Sequence, residues 1–131
     1  ALGMWVEVVT LVLPGFNDSN QDLWDTARYL AGVSRDIPWH VTAFYPTYKH
    51  LAADRTPAET IQRAAEIGQE AGLQYVYAGN LPGRVGSLET TYCPTCQSLL
   101  IGRTGYTLKA NHLTSTGTCP QCGQKIAGVW A

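Results

Sequence analysis

The residues whose type and spacing can do chemistry unaided are the four cysteines, which stand as Cys93-Pro-Thr-Cys96 and Cys119-Pro-Gln-Cys122, two knuckles separated by 22 residues. Each Cys-x-x-Cys knuckle turns two sulfurs toward one point, and two knuckles complete a four-coordinate tetrahedron. The spacing therefore predicts a four-cysteine zinc ribbon in which Cys93, Cys96, Cys119 and Cys122 hold a structural ion. Iron in the same four-thiolate cage is the alternative on donor chemistry. Paired disulfides would need an oxidising compartment, and no secretory signal is evident in the chain. His112 could stand in for a thiolate, yet four sulfurs already fill the tetrahedron.

The elements that must carry these ligands are short. Ser98-Leu-Leu-Ile101 and Tyr106-Thr-Leu-Lys109 alternate in polarity and are expected to form a hairpin hinged by Gly102-Arg-Thr-Gly105, with Ile126-Ala-Gly-Val-Trp130 as a last strand. A segment of this size cannot bury enough apolar surface to fold alone, whereas a bound tetrahedral ion supplies roughly 10 kcal/mol or more at neutral pH. Charge marks the same segment: residues 93–131 hold Arg103, Lys109 and Lys125 and no acidic residue, so every acid of the chain lies in residues 1–92. The domain boundary is placed just before Cys93, giving an α/β unit over 1–92 and a ribbon over 93–131.

The whole chain has 131 residues, 45% hydrophobic and 15% charged, which is one domain with a small appendage and is too apolar to be disordered. A net charge of -1 gives no global field to draw nucleic acid or an anionic membrane, and three scattered basic residues with Tyr106 and His112 make no nucleic-acid footprint in the ribbon. The most apolar stretch, Met4 to Leu13, contains Glu7 and stops at Pro14-Gly15, too short to span a bilayer, so a soluble, cytoplasmic protein is expected.

Residues 1–92 read as strands alternating with helices. Met4–Leu13, Trp39–Tyr45 and Gln74–Ala78 are β-branched or aromatic runs of the kind found in parallel sheets. Ser19-Asn-Gln-Asp22 is an approximate capping box for a helix that stops at Gly32. Thr56-Pro57-Ala58-Glu59 is a full one for a helix that ends near Ala71, with Gly72 as its stop. A βαβαβ unit places both helices on one face of three parallel strands. The other face and the edges then need cover, and Ala1-Leu2-Gly3 reads as the end of an earlier helix. The expectation is the C-terminal part of a longer α/β protein, as an expressed portion or a proteolytic product, whose missing N-terminal half or a second copy covers the open sheet. The alternative is a self-sufficient three-stranded domain that dimerises through that face.

Trp5-Val-Glu-Val-Val-Thr-Leu-Val-Leu-Pro-Gly-Phe-Asn-Asp18, Pro38-Trp-His-Val-Thr-Ala-Phe-Tyr-Pro46, Tyr75-Val-Tyr-Ala-Gly-Asn80, the two Cys-Pro-x-Cys knuckles and Ile126-Ala-Gly-Val-Trp130 follow one another in an order that resembles the C-terminal half of a radical SAM enzyme. The likeness is to pyruvate formate-lyase activating enzyme-like proteins of the AmmeMemoRadiSam type, and it covers essentially the whole chain. It implies a partial (βα)6 barrel that binds a [4Fe–4S] cluster and S-adenosylmethionine and cleaves the latter reductively, acting in some cases on a protein substrate. By the same likeness, Leu13, Pro14, Gly15, Asn17 and Asp18 correspond to the adenine-side turn after the fifth strand. Leu11 replaces that motif's first glycine, and Tyr45 stands where a histidine is usual. The family's Cys-x3-Cys-x2-Cys cluster motif does not occur here, so the chain alone is expected to do no radical chemistry.

Other polar residues have plainer readings. Glu7 is expected to be a buried strand carboxylate paired with a missing partner rather than a substrate contact facing a barrel interior, His40 a packed, hydrogen-bonded residue at a strand start, the stabilising rather than catalytic end of such a barrel, and Tyr48, Lys49 and His50 a solvated loop rather than a contact to substrate or an S-adenosylmethionine carboxylate. A second class of function also fits the sequence: a ribbon that binds protein or nucleic acid, carried on an α/β support.

Overall fold

The computed structural model describes residues 5–44, 56–79, 86–104 and 107–128. Its first sheet has strands β1 (Val8–Val12), β2 (Trp39–Ala43) and β3 (Val76–Gly79) in that order, all parallel, with Val8 opposite Trp39 and Trp39 opposite Val76. Helices α1 (Asn20–Val33) and α2 (Ala58–Glu70) supply the crossovers. A single 3-10 turn at Gly86–Glu89 leads to a second, antiparallel sheet of β4 (Thr91–Tyr92), β5 (Leu99–Thr104) and β6 (Thr107–Asn111). The expected α/β class is thus observed, as a parallel sheet with its helices followed by a small antiparallel sheet beside the four cysteines. No helix of the described residues is long and apolar enough to cross a membrane.

Strand alternation sends Val12, Trp39, Val41, Ala43, Val76 and Ala78 toward the helices, where they meet Leu23, Ala27 and Leu30 of α1 and Ile61, Ala64 and Ala65 of α2. Trp39 is fully buried at the centre, and its indole N–H donates to Thr10 Oγ1 at 2.9 Å, so the one polar atom of the ring is satisfied. Gly68 explains how a helix can lie on that ring: a Cβ there would come within 2.8 Å of the indole. The glycine costs helix propensity of about 1 kcal/mol and permits the contact.

The two capping boxes have different outcomes. Ser19 Oγ accepts from the Asp22 amide at 3.1 Å and caps α1 as predicted. Thr56, by contrast, does not cap α2. The N-cap is Pro57, with no side-chain bond, while the Thr56 hydroxyl donates to the Val12 carbonyl and accepts from the Phe44 amide at 2.9 Å. Thr56 is buried, and polar groups at buried strand ends must be satisfied inside the protein, whereas the first amides of an exposed helix start can be satisfied by water. The stop at Gly72 is as expected: its φ of +109° suits glycine, and the Leu73 amide returns to the Gly68 carbonyl at 3.1 Å.

In the ribbon, Gly102 and Arg103 are not the hinge predicted. They lie within β5, with a bulge between them, and Gly102 faces Ala110. The last pair of the hairpin sets Thr104 opposite Thr107, and Gly105 and Tyr106 lie outside the described residues. The sequence also gave no sign of β4, whose Thr91 and Tyr92 pair with Ile101 and Leu99, so the ribbon's sheet starts two residues ahead of the charge boundary. Of the expected last strand, Ile126 is buried and its amide donates to the Gly117 carbonyl at 2.9 Å, whereas Val129 and Trp130 lie outside the described residues.

The sheet face away from the helices is covered on one side only. Tyr75 packs with Cys93, Leu100, Ile101, Cys119 and Ile126, and its hydroxyl accepts from the Ala127 amide at 3.2 Å. Beside it, Tyr77 shares a 2.8 Å hydrogen bond with Thr91. The ribbon therefore shields the β3 side from within the chain, which corrects the expectation that all cover must come from elsewhere. On the β1 side Val9 and Leu11 remain 66% and 44% exposed, and among the described residues nothing pairs with the outer edge of β1.

Candidate metal centre

The two knuckles fold as copies of one another. The Cys93 amide donates to the Ser98 carbonyl at 2.9 Å and the Gln97 amide returns to the Cys93 carbonyl at 2.9 Å; in the second knuckle, Cys119 bonds to Gln124 at 2.8 Å and Gly123 to Cys119 at 2.9 Å. Four residues after each first cysteine the chain must enter the left-handed region. Gly123 does so at φ 77° without penalty, whereas Gln97 does so at φ 65° and bears the cost of a Cβ. Thr95 Oγ1 donates to Gln124 Oε1 at 3.1 Å and ties one knuckle to the other.

All four sulfurs lie within 4.8 Å of one another, with Cys93 to Cys122 and Cys96 to Cys119 both at 3.6 Å. A tetrahedron with metal–sulfur bonds of about 2.3 Å has edges of about 3.8 Å, so the cage fits a single ion. A four-iron cube holds its thiolates farther apart, and the same closeness makes these cysteines a poor fit to a [4Fe–4S] cluster. Cys93 and Cys119 are buried in the cluster with Tyr75, while Cys96 and Cys122 face water. The Ser98 hydroxyl, 3.1 Å from Cys96 Sγ, and the Ser98 backbone bring the Cys96 thiol down to about 6. For Cys122 a backbone bond at Gln124 favours the thiolate, but desolvation and the crowding of Cys93, Cys96 and Cys119 outweigh it and push the thiol up to about 12. Four thiolates crowded together repel one another, and a cation among them removes that repulsion. Four clustered cysteines that can bind a metal ion such as zinc are therefore a property of this fold.

The other predicted site residues gather at the opposite end of the sheet. The ribbon packs on Tyr75, at the strand-start end, whereas Leu13, Pro14, Gly15, Asn17 and Asp18 form the turn leaving β1. Asn17 spans the turn: its Oδ1 accepts from the Leu13 amide at 2.7 Å and its Nδ2 donates to the Leu11 carbonyl at 3.0 Å. Asp18 accepts from the Gly15 amide at 3.1 Å, and its carbonyl takes a 2.6 Å bond from Arg63 of α2. These side chains shape the loop, leaving Gly15, at φ 76°, and Phe16 exposed at its tip. Tyr45, Tyr48, Lys49 and His50 lie outside the described residues.

One pairing escaped sequence reasoning. Glu7, read as a buried carboxylate with a missing partner, is instead exposed, and its partner is His40, read separately as a packed histidine, at 2.7 Å between Glu7 Oε1 and His40 Nε2. That bond, ahead of burial, holds the Glu7 carboxyl below its ordinary value. Parallel register was the available signal, since it sets β1 beside β2 with Glu7 and His40 on the same face.

No protein-family model and no solved structure matches the chain. It is similar to a protein of Methanocaldococcus jannaschii named only as uncharacterized, with 42% identity over 127 residues, which is 95% of this chain and 38% of the relative. The chain thus spans less than two fifths of the length of the curated relative it matches.

Proposed function

We propose that this chain is the C-terminal part of a radical SAM enzyme of the pyruvate formate-lyase activating enzyme-like kind, in which β1 to β3 complete a barrel wall beside S-adenosylmethionine and zinc in the ribbon is structural. The observation that carries the reading is the parallel sheet half-covered by the described residues, with helices on one face and, among those residues, exposed Val9 and Leu11 on the other and no strand paired with the outer β1 edge. A relative more than twice the length of the matched region supports it.

Within that enzyme the chain has two tasks. The loop from Leu13 to Asp18, braced by Asn17 and by Arg63, offers exposed main chain at Gly15 where a base can approach closely. The metal-held ribbon closes the strand-start end of the sheet through Tyr75 and Tyr77. When bound elsewhere in the enzyme, a [4Fe–4S] cluster would supply the electron that cleaves S-adenosylmethionine; the cysteines of this chain do not fit it and take no part in that step.

The test is anaerobic reconstitution with iron, sulfide, a reductant and S-adenosylmethionine, followed by assay for 5′-deoxyadenosine. A polypeptide extended upstream in the same reading frame yields the product, and the 131-residue chain alone yields none. Turnover by the chain alone, or an upstream frame without Cys-x3-Cys-x2-Cys, overturns the proposal.

A further inference from the structure

The sheet face away from the helices carries an oriented imidazole that neither the metal centre nor the β1 loop uses. The Trp5 indole N–H donates to Glu7 Oε2 at 3.1 Å, and Glu7 Oε1 meets His40 Nε2 at 2.7 Å. An ionised carboxylate only accepts, so His40 Nε2 carries a proton and, in the neutral ring, Nδ1 keeps its lone pair. The ring is fixed from the other side by Tyr77, stacked on it at 5.1 Å between centroids and 24° between planes. Tyr77 is itself held by Thr91, by the Arg103 guanidinium 5.6 Å from its ring centroid, and by the bond from Arg103 to Thr91 at 2.9 Å. Among the described residues the His40 imidazole makes no other hydrogen bond.

Stability does not account for this chain of supports. Glu7 and His40 are 46% and 33% exposed at their side chains, and an ion pair so open to water contributes little. Orientation does account for it, because each contact removes one freedom of the imidazole and leaves Nδ1 as the unused atom. The surroundings define what could meet it. Val9, in register with His40, and Leu11 next along β1 form an exposed aliphatic shelf. Glu7 and Arg103 bring opposite charges, so the face favours no net charge on a ligand.

We infer that His40 Nδ1 is the polar recognition atom of a binding site on this face, taking a neutral small molecule that donates one hydrogen bond beside an aliphatic portion. Glu7 and Tyr77 are its positioning residues. The inference deepens the proposed function: it rests on that reading only for making this face the inner, substrate-facing one, while every atom named for the site belongs to this chain.

Isobutyramide, an amide N–H donor on a branched aliphatic body, is the probe, titrated into the metal-loaded chain. Long-range proton–nitrogen NMR of labelled histidine shows His40 protonated at Nε2 and bare at Nδ1, and the probe shifts Nδ1 together with the Val9 and Leu11 methyls in a saturable way. His40→Phe keeps a ring against Tyr77 and weakens the methyl shifts about tenfold, as losing one hydrogen bond would. Glu7→Gln leaves the melting temperature within a few degrees but mixes the two tautomers and weakens binding severalfold. An Nδ1-protonated His40, no saturable shift, or equal shifts in His40→Phe overturns the site. The readings fail separately: loss of probe binding with 5′-deoxyadenosine formation intact in the longer polypeptide removes the site alone, and binding without that turnover removes the radical-enzyme reading alone.

Discussion

The α/β unit and the ribbon solve the same problem with different means. Among the described residues the former buries fourteen hydrophobic residues with Trp39 at their centre, enough to hold two helices on a sheet, while the latter buries six, of which Cys93 and Cys119 are candidate metal ligands and Tyr75 belongs to the parallel sheet it packs against. Remove those three and Leu100, Ile101 and Ile126 remain, too little to order the ribbon's backbone. One region is organised by apolar area and, on the proposed metal-site reading, the other by a coordination shell, so each should break under a treatment the other survives.

Cys93→Ser has the largest expected effect. Losing one of four thiolates forfeits most of the roughly 10 kcal/mol a structural ion contributes, so metal content falls toward zero and the ribbon's amide protection disappears, while amides around Trp39 stay protected in hydrogen exchange. Trp39→Ala is the converse. It removes the centre of the apolar core and costs about 3–5 kcal/mol in chemical denaturation, with the ion still bound by the four thiolates. If either variant melts both regions together, the division fails.

Smaller changes probe the joints. Thr56→Val removes the hydroxyl used by Val12 and Phe44 and is expected to cost about 1–3 kcal/mol, whereas a residue that merely capped an exposed helix would cost nearer the lower end. The Tyr75 and Tyr77 phenols, both pushed up chiefly by desolvation under the ribbon, should titrate late among the seven tyrosines when absorbance is followed at alkaline pH. Their folded-state values lie above the unfolded ones, so ribbon docking is fully stable below about pH 10 and is lost as pH rises beyond it, the unfolded chain ionising first. Gln97→Gly has the smallest effect and the opposite sign, a gain of about 0.5–1 kcal/mol in ribbon stability, since it gives the first knuckle the residue that the second already has.

How much of this was legible beforehand divides along the same line. The cysteine spacing contained all four residues of the candidate metal centre, because ligand chemistry is local and tolerates few arrangements. Strand and helix order was also readable, from Ser19 capping to the Gly72 stop. The role of Thr56 was not, because its residue type and position suit a cap equally well and only the neighbouring strand ends decide between them. β4 was hidden for a related reason: Thr91 and Tyr92 form a strand because Ile101 and Leu99 lie alongside, which no local pattern announces. The joining of Glu7 to His40 likewise depends on parallel register across 33 residues of chain.

X-ray absorption at the zinc edge, on the chain purified with its native metal, tests the account most directly. One zinc per chain with four sulfur neighbours near ~2.3 Å is expected, with selective loss of ribbon amide protection once a chelator withdraws it. A ribbon that keeps its protection without metal, or a shell that includes nitrogen or oxygen, would contradict it.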